Sequence, residues 1–284
     1  MDIKGIIEKE FGLTVKSVIV IGEGLDSIAY VVNNEYIFKQ SKHNAARINL
    51  KREVQLLNYL NGKITLQIPD IEYYSERYSV CGYKEIKGNK LTPSIYRNLR
   101  DDEKDMLAQN IALFLRELHS IDLPDIEEFE SDIMDDYCSD YDALREMIYD
   151  KIPDKSKEYI DSLYKRIFDD KRISQYDKAI CHNDLSCNHI IMQNNRVVGI
   201  IDFGDAAITD IDRDFIYLLE DSSEEIGRDF GMEVLKYYDH HNIDIPILKA
   251  NLNEEYYPIE QILGGQAMNL ADMYNKGLDK IKNV

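Results

Sequence analysis

Cys181-His182-Asn183-Asp184-Leu185-Ser186-Cys187-Asn188-His189, followed by Ile200-Ile201-Asp202-Phe203-Gly204-Asp205, decides the reading of this chain. Two carboxylates, Asp184 and Asp202, each stand close behind an apolar run. Between them, Ile190-Ile191-Met192 and Val197-Val198-Gly199-Ile200-Ile201 flank Asn194-Asn195, the pattern of two strands around a tight turn. Such a hairpin brings both carboxylates to one end. One can then handle a hydroxyl proton while the other holds a metal on a nucleotide phosphate. Phosphoryl transfer needs these two parts, because its catalysis is mostly positioning and charge neutralisation. A His-x-Asp triplet alone is short and common. Its coupling to an Ile-Asp-Phe-Gly segment eighteen positions later, with strands between, makes it specific.

Upstream, the pattern predicts a strand-rich first part. Residues 1–11 read as a short helix stopped by Gly12. Thr14 to Gly22, Ile28 to Asn33, Tyr36 to Lys39 and Tyr78 to Ile86 read as strands, with Asn33-Asn34 as a turn. Leu50, Val54, Leu57 and Leu60 recur at helical spacing over 47–60, and Asn61-Gly62 ends that helix. Gly22-Glu23-Gly24 lies between two strands, where backbone N–H groups can approach phosphates. Lys39 closes a strand and could pair the phosphates, with Glu53 on the following helix holding it.

The texture changes near Lys87-Gly88. Helical spacing appears over 103–119 and 154–168, and again around 213–220, 224–240 and 254–281. The expected fold class is α+β, with a small antiparallel lobe over 1–86 carrying one main helix. A larger, mostly helical lobe spans 87–284, with a hinge at about 84–90. Junctions of this kind are a preferred place for a ligand.

At 284 residues the chain can bury a sizeable core, and 44% apolar residues is ordinary for a globular protein. No run of about 18 apolar residues exists, so no membrane span is expected. No secretory signal is read at Met1-Asp2-Ile3-Lys4. Cys81, Cys138, Cys181 and Cys187 form no CxxC pattern and read as reduced thiols of a cytoplasmic protein. Zinc on Cys181, His182, Cys187 and His189 is disfavoured, since adjacent residues on a strand point apart.

The formal charge of −19 argues against a nucleic-acid partner and permits a cationic ligand. Between Asp202 and Asp229 ten acids face only Arg213 and Arg228. Asp205, Glu220, Asp221 and Glu224 belong to this run. Glu220 and Glu224, if they share a helix, form a repelling i, i+4 pair that a cation would relieve.

The ordered set of Gly turn, strand lysine, helix glutamate, His-x-Asp and Ile-Asp-Phe-Gly resembles the protein-kinase-like fold across nearly the whole chain. No Arg precedes Asp184 and no Ala-Pro-Glu follows Asp202, so the resemblance is not to protein kinases proper. Tyr36-Ile37-Phe38-Lys39, Gly82-Tyr83-Lys84-Glu85-Ile86-Lys87-Gly88, Leu115-Arg116-Glu117-Leu118-His119-Ser120 and the segments from Ile200 to Asp210 and from Phe215 to Asp221 resemble the aminoglycoside 2''-phosphotransferases.

That resemblance implies Mg²⁺-dependent transfer of a γ-phosphate to a hydroxyl of a polycationic, 4,6-disubstituted aminoglycoside. Asp184 would be the catalytic residue and also touch the substrate, His189 and Asp202 would be the metal ligands, and Asp205, Glu220, Asp221 and Glu224 would be the ligands for the substrate's amines. Asn188 is the alternative to His189. Gly22, Gly24, Ser27, Lys39, Glu53, Tyr83, Glu85 and Ile86 would line the purine nucleotide site. Family members place an aromatic side chain near the C-terminus against the substrate, for which Tyr256 or Tyr257 could serve. Bulk at Tyr83 implies GTP over ATP as donor. A kinase for choline, an amino sugar or a macrolide shares every catalytic residue. A binding module without turnover is the remaining alternative, against which intact Lys39, Asp184 and Asp202 argue.

Overall fold

The structure, a computed structural model, describes residues 2–122 and 129–284. Helix α1 (Ile3–Phe11) is capped by Asp2 and ends where Gly12 turns left-handed at φ 67°. Strands β1 (Val18–Glu23), β2 (Ser27–Val32) and β3 (Tyr36–Ser41) follow. Then come helix α2 (Asn44–Leu60) and strands β4 (Ile71–Ser75) and β5 (Val80–Lys84). All pairings in this five-stranded sheet are antiparallel, in the order β1-β2-β3-β5-β4.

The two faces of the sheet carry different helices. Phe38 and Val80 pack with Ile6, Ile7 and Val15 on the α1 side. Cys81 packs with Leu50 and Val54 of α2 on the other. Side chains alternate along a strand, so burying Phe38 on one face puts Lys39 on the face of α2. Gly82 is required next to Phe38, because a Cβ there would lie 2.4 Å from its ring.

The first strand starts later than expected. Asn33 Oδ1 accepts the N–H groups of Lys16 and Ser17, and its amide donates to the Thr14 carbonyl. A side chain satisfies backbone that the pattern assigned to a ladder. Helix α2 starts earlier, at Asn44, because His43 accepts the Ala46 N–H and caps it.

A connector over 85–88 leads to strand β6 (Asn89–Lys90) and helices α3 (Pro93–Arg97) and α4 (Asp101–His119). Helices α5 (Ile133–Ile148), α6 (Asp154–Asp169) and α7 (Lys171–Ser174) come next, then strands β7 (Lys178–Cys181), β8 (Ile190–Gln193), β9 (Arg196–Ile200) and β10 (Ala207–Asp210). The chain finishes with α8 (Arg228–Tyr238), α9 (Asp244–Ala267) and α10 (Ala271–Lys282). Strand β4 and helix α5 have no counterpart in the sequence reading. The β8–β9 hairpin does, with Asn194 and Asn195 both at positive φ as a two-residue turn needs. No helix of the structure is long and apolar enough to cross a membrane.

The expected helix over 213–220 is absent. Two 3₁₀ turns, Ile211–Phe215 and Tyr217–Leu219, take its place. Helix α8 begins only at Arg228, after Gly227 at φ 109°, with Asp221 accepting the Arg228 N–H. Glu220 and Glu224 therefore share no helix, and the i, i+4 repulsion does not arise. The last expected helix is two, broken where Asn269 takes φ 55°.

Candidate active site

Lys39 and Glu53 are brought together by the packing of α2 on β3. The ammonium lies 2.9 Å from Glu53 Oε2 and 2.8 Å from Asp202 Oδ1. Burial alone would lower the Lys39 pKa, but the two carboxylates outweigh it and raise it well above the usual value. Burial likewise opposes ionisation of Asp202, yet Lys39 and the nearby histidines hold its carboxyl at about 2. Glu53 goes the other way, raised by burial despite Lys39. The arrangement keeps one cation and an anion facing each other at the floor of the cleft.

The loop that carries His182 and Asp184 leaves β7 at Cys181, whose Cα pairs with Ala207 of β10. His182 is fully buried. Its Nδ1 accepts the Asp184 N–H, so its Nε2–H donates to the Ile201 carbonyl. Asn183 sits at φ 68°, a left-handed conformation uncommon for a side-chain-bearing residue. Asp214 holds it there. Its Oδ2 accepts the His182 N–H at 3.0 Å and its Oδ1 the Asn183 N–H at 2.6 Å. Asp214 is 1% exposed; burial would raise its pKa, but His119 at 2.9 Å and the backbone donors keep it lowered.

Asp184 and Asp202 meet through His189. The His189 Nδ1–H donates to the Asp184 carbonyl at 2.7 Å, and Nε2 lies 3.6 Å from Asp202 Oδ2. Asn188, the alternative at this position, is exposed and bonded to Ser186 instead. Burial pushes the Asp184 carboxyl up to about 6, against the pull of His189. The zinc quartet does not assemble. Among the described residues, the donors that cluster are His119, Cys181 and Asp214, and hydrogen bonds already account for His119 and Asp214.

Gly22, Gly24, Ser27, Lys39, Glu53, Tyr83, Glu85 and Ile86 all line one cavity of about 350 Å³, together with Ile191, Ile201 and Asp202. A second, of about 420 Å³, adjoins it through Gly24, Ser27, Lys39 and Asp202 and reaches Asp205 and Met268. Gly22 and Gly24 are not at positive φ. They leave open space where a side chain would fill the cleft. The Gly24 turn is tethered from outside, by Lys42 to Glu23 and by His43 and Asn49 to Asp26.

The acidic run divides in two. Asp210 and Asp212 are buried, each 2.6 Å from the Lys249 ammonium, with His240 on Asp212 at 2.8 Å. Glu225 is buried and accepts from Ser186 and the Cys187 N–H. Asp221 is engaged by Arg228. Asp210, Asp212 and Glu225 are therefore buried supports, whereas Asp221 is exposed. Asp205 and Glu224 remain exposed, and Glu220 half-buried.

A further set of carboxylates escaped the sequence reading. Asp136, Asp140 and Glu260 line a cavity of about 270 Å³ with Tyr137, Tyr256, Asn183 and Arg213. The signal was present: Asp136 and Asp140 are one helical turn apart, as are Tyr256 and Glu260. Burial raises the pKa of Asp140 and of Glu260. Tyr256 faces this cavity and bonds Asp140 at 2.6 Å, whereas Tyr257 is 47% exposed on the other side.

Residues 17–250 match the sequence profile of the phosphotransferase enzyme family (APH). The fold is shared with the gentamicin complex of APH(2'')-IIa at 33% identity and TM-score 0.91, covering 99% of this chain and 96% of that one. The ADP-bound aminoglycoside phosphotransferase APH(2'')-Ib has 33% identity and TM-score 0.89, covering 99% and 97%. A GDP and kanamycin complex of APH(2'')-IIIa has 27% identity and TM-score 0.86, covering 98% and 96%. The protein is a nucleotide-dependent phosphotransferase with the protein-kinase-like fold, and it belongs to the aminoglycoside 2''-phosphotransferase family.

Proposed function

We propose that the protein moves the γ-phosphate of GTP, or of ATP, to a hydroxyl of a 4,6-disubstituted aminoglycoside, as a cytoplasmic antibiotic-resistance enzyme. The observation that carries this reading is the carboxylate-lined cavity that meets the catalytic loop at Asn183, the residue before Asp184. The nucleotide cavity reaches Asp202, beside His189, from the Lys39 side. A phosphate donor and a polycation would thus approach Asp184 from two directions.

Asp202 offers the carboxylate oxygens that a hard cation prefers, and His189 Nε2, 3.6 Å from Asp202 Oδ2, would be the second and less usual donor. Bound there, Mg²⁺ would supply charge neutralisation at the nucleotide phosphates. Lys39 would bind those phosphates, released in part from Asp202, with Glu53 as its anchor. Gly22, Gly24 and Ser27 would leave room for them. Tyr83, Glu85 and Ile86 would enclose the base, Tyr83 closing the space that adenine needs. Asp184 would orient the acceptor hydroxyl and take its proton. A pKa near 6 leaves it ionised at neutral pH and basic enough for that role. Asp205, Glu220 and Glu224 would join Asp140 and Glu260 on the substrate's ammonium groups, where charge-assisted hydrogen bonds are strong. Asp221 would act through Arg228. The lobes would divide at 84–90.

A coupled phosphorylation assay with Mg²⁺ tests this, offering GTP and ATP separately and kanamycin and choline as acceptors. Kanamycin-dependent turnover with GTP is the expected result. Turnover on choline alone, or on neither acceptor, would sink the aminoglycoside reading.

A further inference from the structure

Arg213 is an anomaly in the cavity beside the catalytic loop. Among the described residues it is the one cation lining a space that also holds Asp136, Asp140 and Glu260. It forms no ion pair with any of them. Its Nε–H donates to Asn183 Oδ1, and its side chain makes no other hydrogen bond or ion pair among the described residues. The terminal nitrogens therefore have no protein acceptor there, on a side chain that lines the cavity. Their charge reaches across it, since Arg213 opposes the burial that raises Glu260 and Tyr137.

A guanidinium only donates. It accepts hydroxyl, ether and ring oxygens as partners and repels ammonium. The carboxylates on α5 and α9 do the reverse. The cavity is therefore polar in direction: an oxygen-seeking wall at the catalytic loop and an ammonium-seeking wall opposite. We propose that Arg213 sets the orientation of an amino sugar in this cavity, taking its oxygens at the loop wall and rejecting an ammonium there. Asp140 and Glu260 hold the ammonium side. This rests on the aminoglycoside reading and adds a specificity-determining residue to it. Asn183 fixes the guanidinium relative to Asp184, so the ring orientation it selects also selects which hydroxyl reaches Asp184.

The test uses the full chain with its nucleotide and Mg²⁺ and a series of kanamycin analogues. In each, one amine is replaced by hydroxyl or one hydroxyl by amine. The wild type should disfavour ammonium at one position on the order of ten-fold in kcat/KM, the size of a single charged contact. Arg213→Gln should level that position alone, through KM, and Arg213→Lys should keep the preference. If Arg213 only tethers Asn183, Arg213→Gln lowers kcat equally for every analogue and leaves the preferences as they were, which overturns the proposal. A wild-type profile with no position that disfavours ammonium overturns it too, without any variant. Failure of the wild type to phosphorylate any analogue is a different result: it removes the aminoglycoside reading itself.

Discussion

Lys39 Nζ and Asp202 Oδ1 stand 2.8 Å apart, 163 positions apart in the chain, and this contact joins the five-stranded sheet to the catalytic hairpin. Replacing Lys39 by Met removes the cation between two carboxylates. Glu53 is then buried without a counter-charge, which costs roughly 3–5 kcal/mol when one partner of a buried pair is lost. Activity should fall by about 10²-fold or more, the loss typical of a group that stabilises developing charge. Lys39→Met with Glu53→Gln separates the two effects. The double variant should regain much of the lost melting temperature and none of the turnover. Recovery of turnover in it would take Lys39 out of the chemistry.

Asp184→Asn tests the proton acceptor. The amide keeps the size and can still hold the loop, but it cannot take a proton. Nucleotide affinity should stay within about three-fold, and kcat should drop by about 10²–10⁴-fold, the range for general base catalysis. Unchanged kcat in a single-turnover measurement would remove Asp184 from that role.

Asp214 acts without touching substrate. It holds two backbone N–H groups of the loop, one of them on strained Asn183. Asp214→Asn replaces one accepting oxygen by a donor and leaves at least one of those N–H groups unmatched, at a cost of about 1–3 kcal/mol. The expected signature is a lower kcat together with a lower melting temperature, and a KM for nucleotide that barely moves. A full kcat would show that the loop keeps its shape without this support.

How much of this the sequence could carry depends on range. The catalytic hairpin was legible because both carboxylates, their strands and the Asn194-Asn195 turn are local. Lys39 and Glu53 were legible through order along the chain. The acidic run was legible as charge and not as role. Asp210, Asp212 and Asp214 turn inward on Lys249, His240 and His119, residues far away in sequence, so no local pattern distinguishes them from Asp205. Helix α5 was missed although Ile133, Tyr137, Tyr141, Leu144 and Ile148 keep helical spacing, with acids and tyrosines between them diluting the apolar pattern. The cavity carboxylates Asp140 and Glu260 depend on that helix meeting α9, and with α5 unseen they had no partner.

Binding of a polycation to Asp140 and Glu260 should depend on pH in a defined sense. Burial raises both carboxyls above their ordinary values, so each loses its charge at a higher pH than a free carboxylate would. A bound ammonium favours the ionised form, so protons leave when the drug binds, and affinity rises with pH. As pH falls through the raised range, KM for kanamycin should climb, by up to about ten-fold per unit for each group involved. Asp140→Asn with Glu260→Gln should flatten the dependence and raise KM at pH 7. A pH profile of kanamycin affinity unchanged in the double variant would place the ammonium groups elsewhere.

Tyr83 provides the last prediction. It lines the cavity with Glu85 and Ile86 at the end of β5, where the chain leaves the sheet for the connector. A phenol ring at that place narrows the space for a base, and the GTP reading depends on that obstruction. Tyr83→Ala removes the ring and opens the cavity. If the ring closes the adenine position, ATP should gain at least about ten-fold in kcat/KM, as expected when one clash of about 1.4 kcal/mol is relieved. GTP should change less, since its contacts are not set by the ring. An ATP gain with GTP unchanged assigns donor choice to Tyr83. Equal loss with both nucleotides would mean that the ring packs against either base and selects neither.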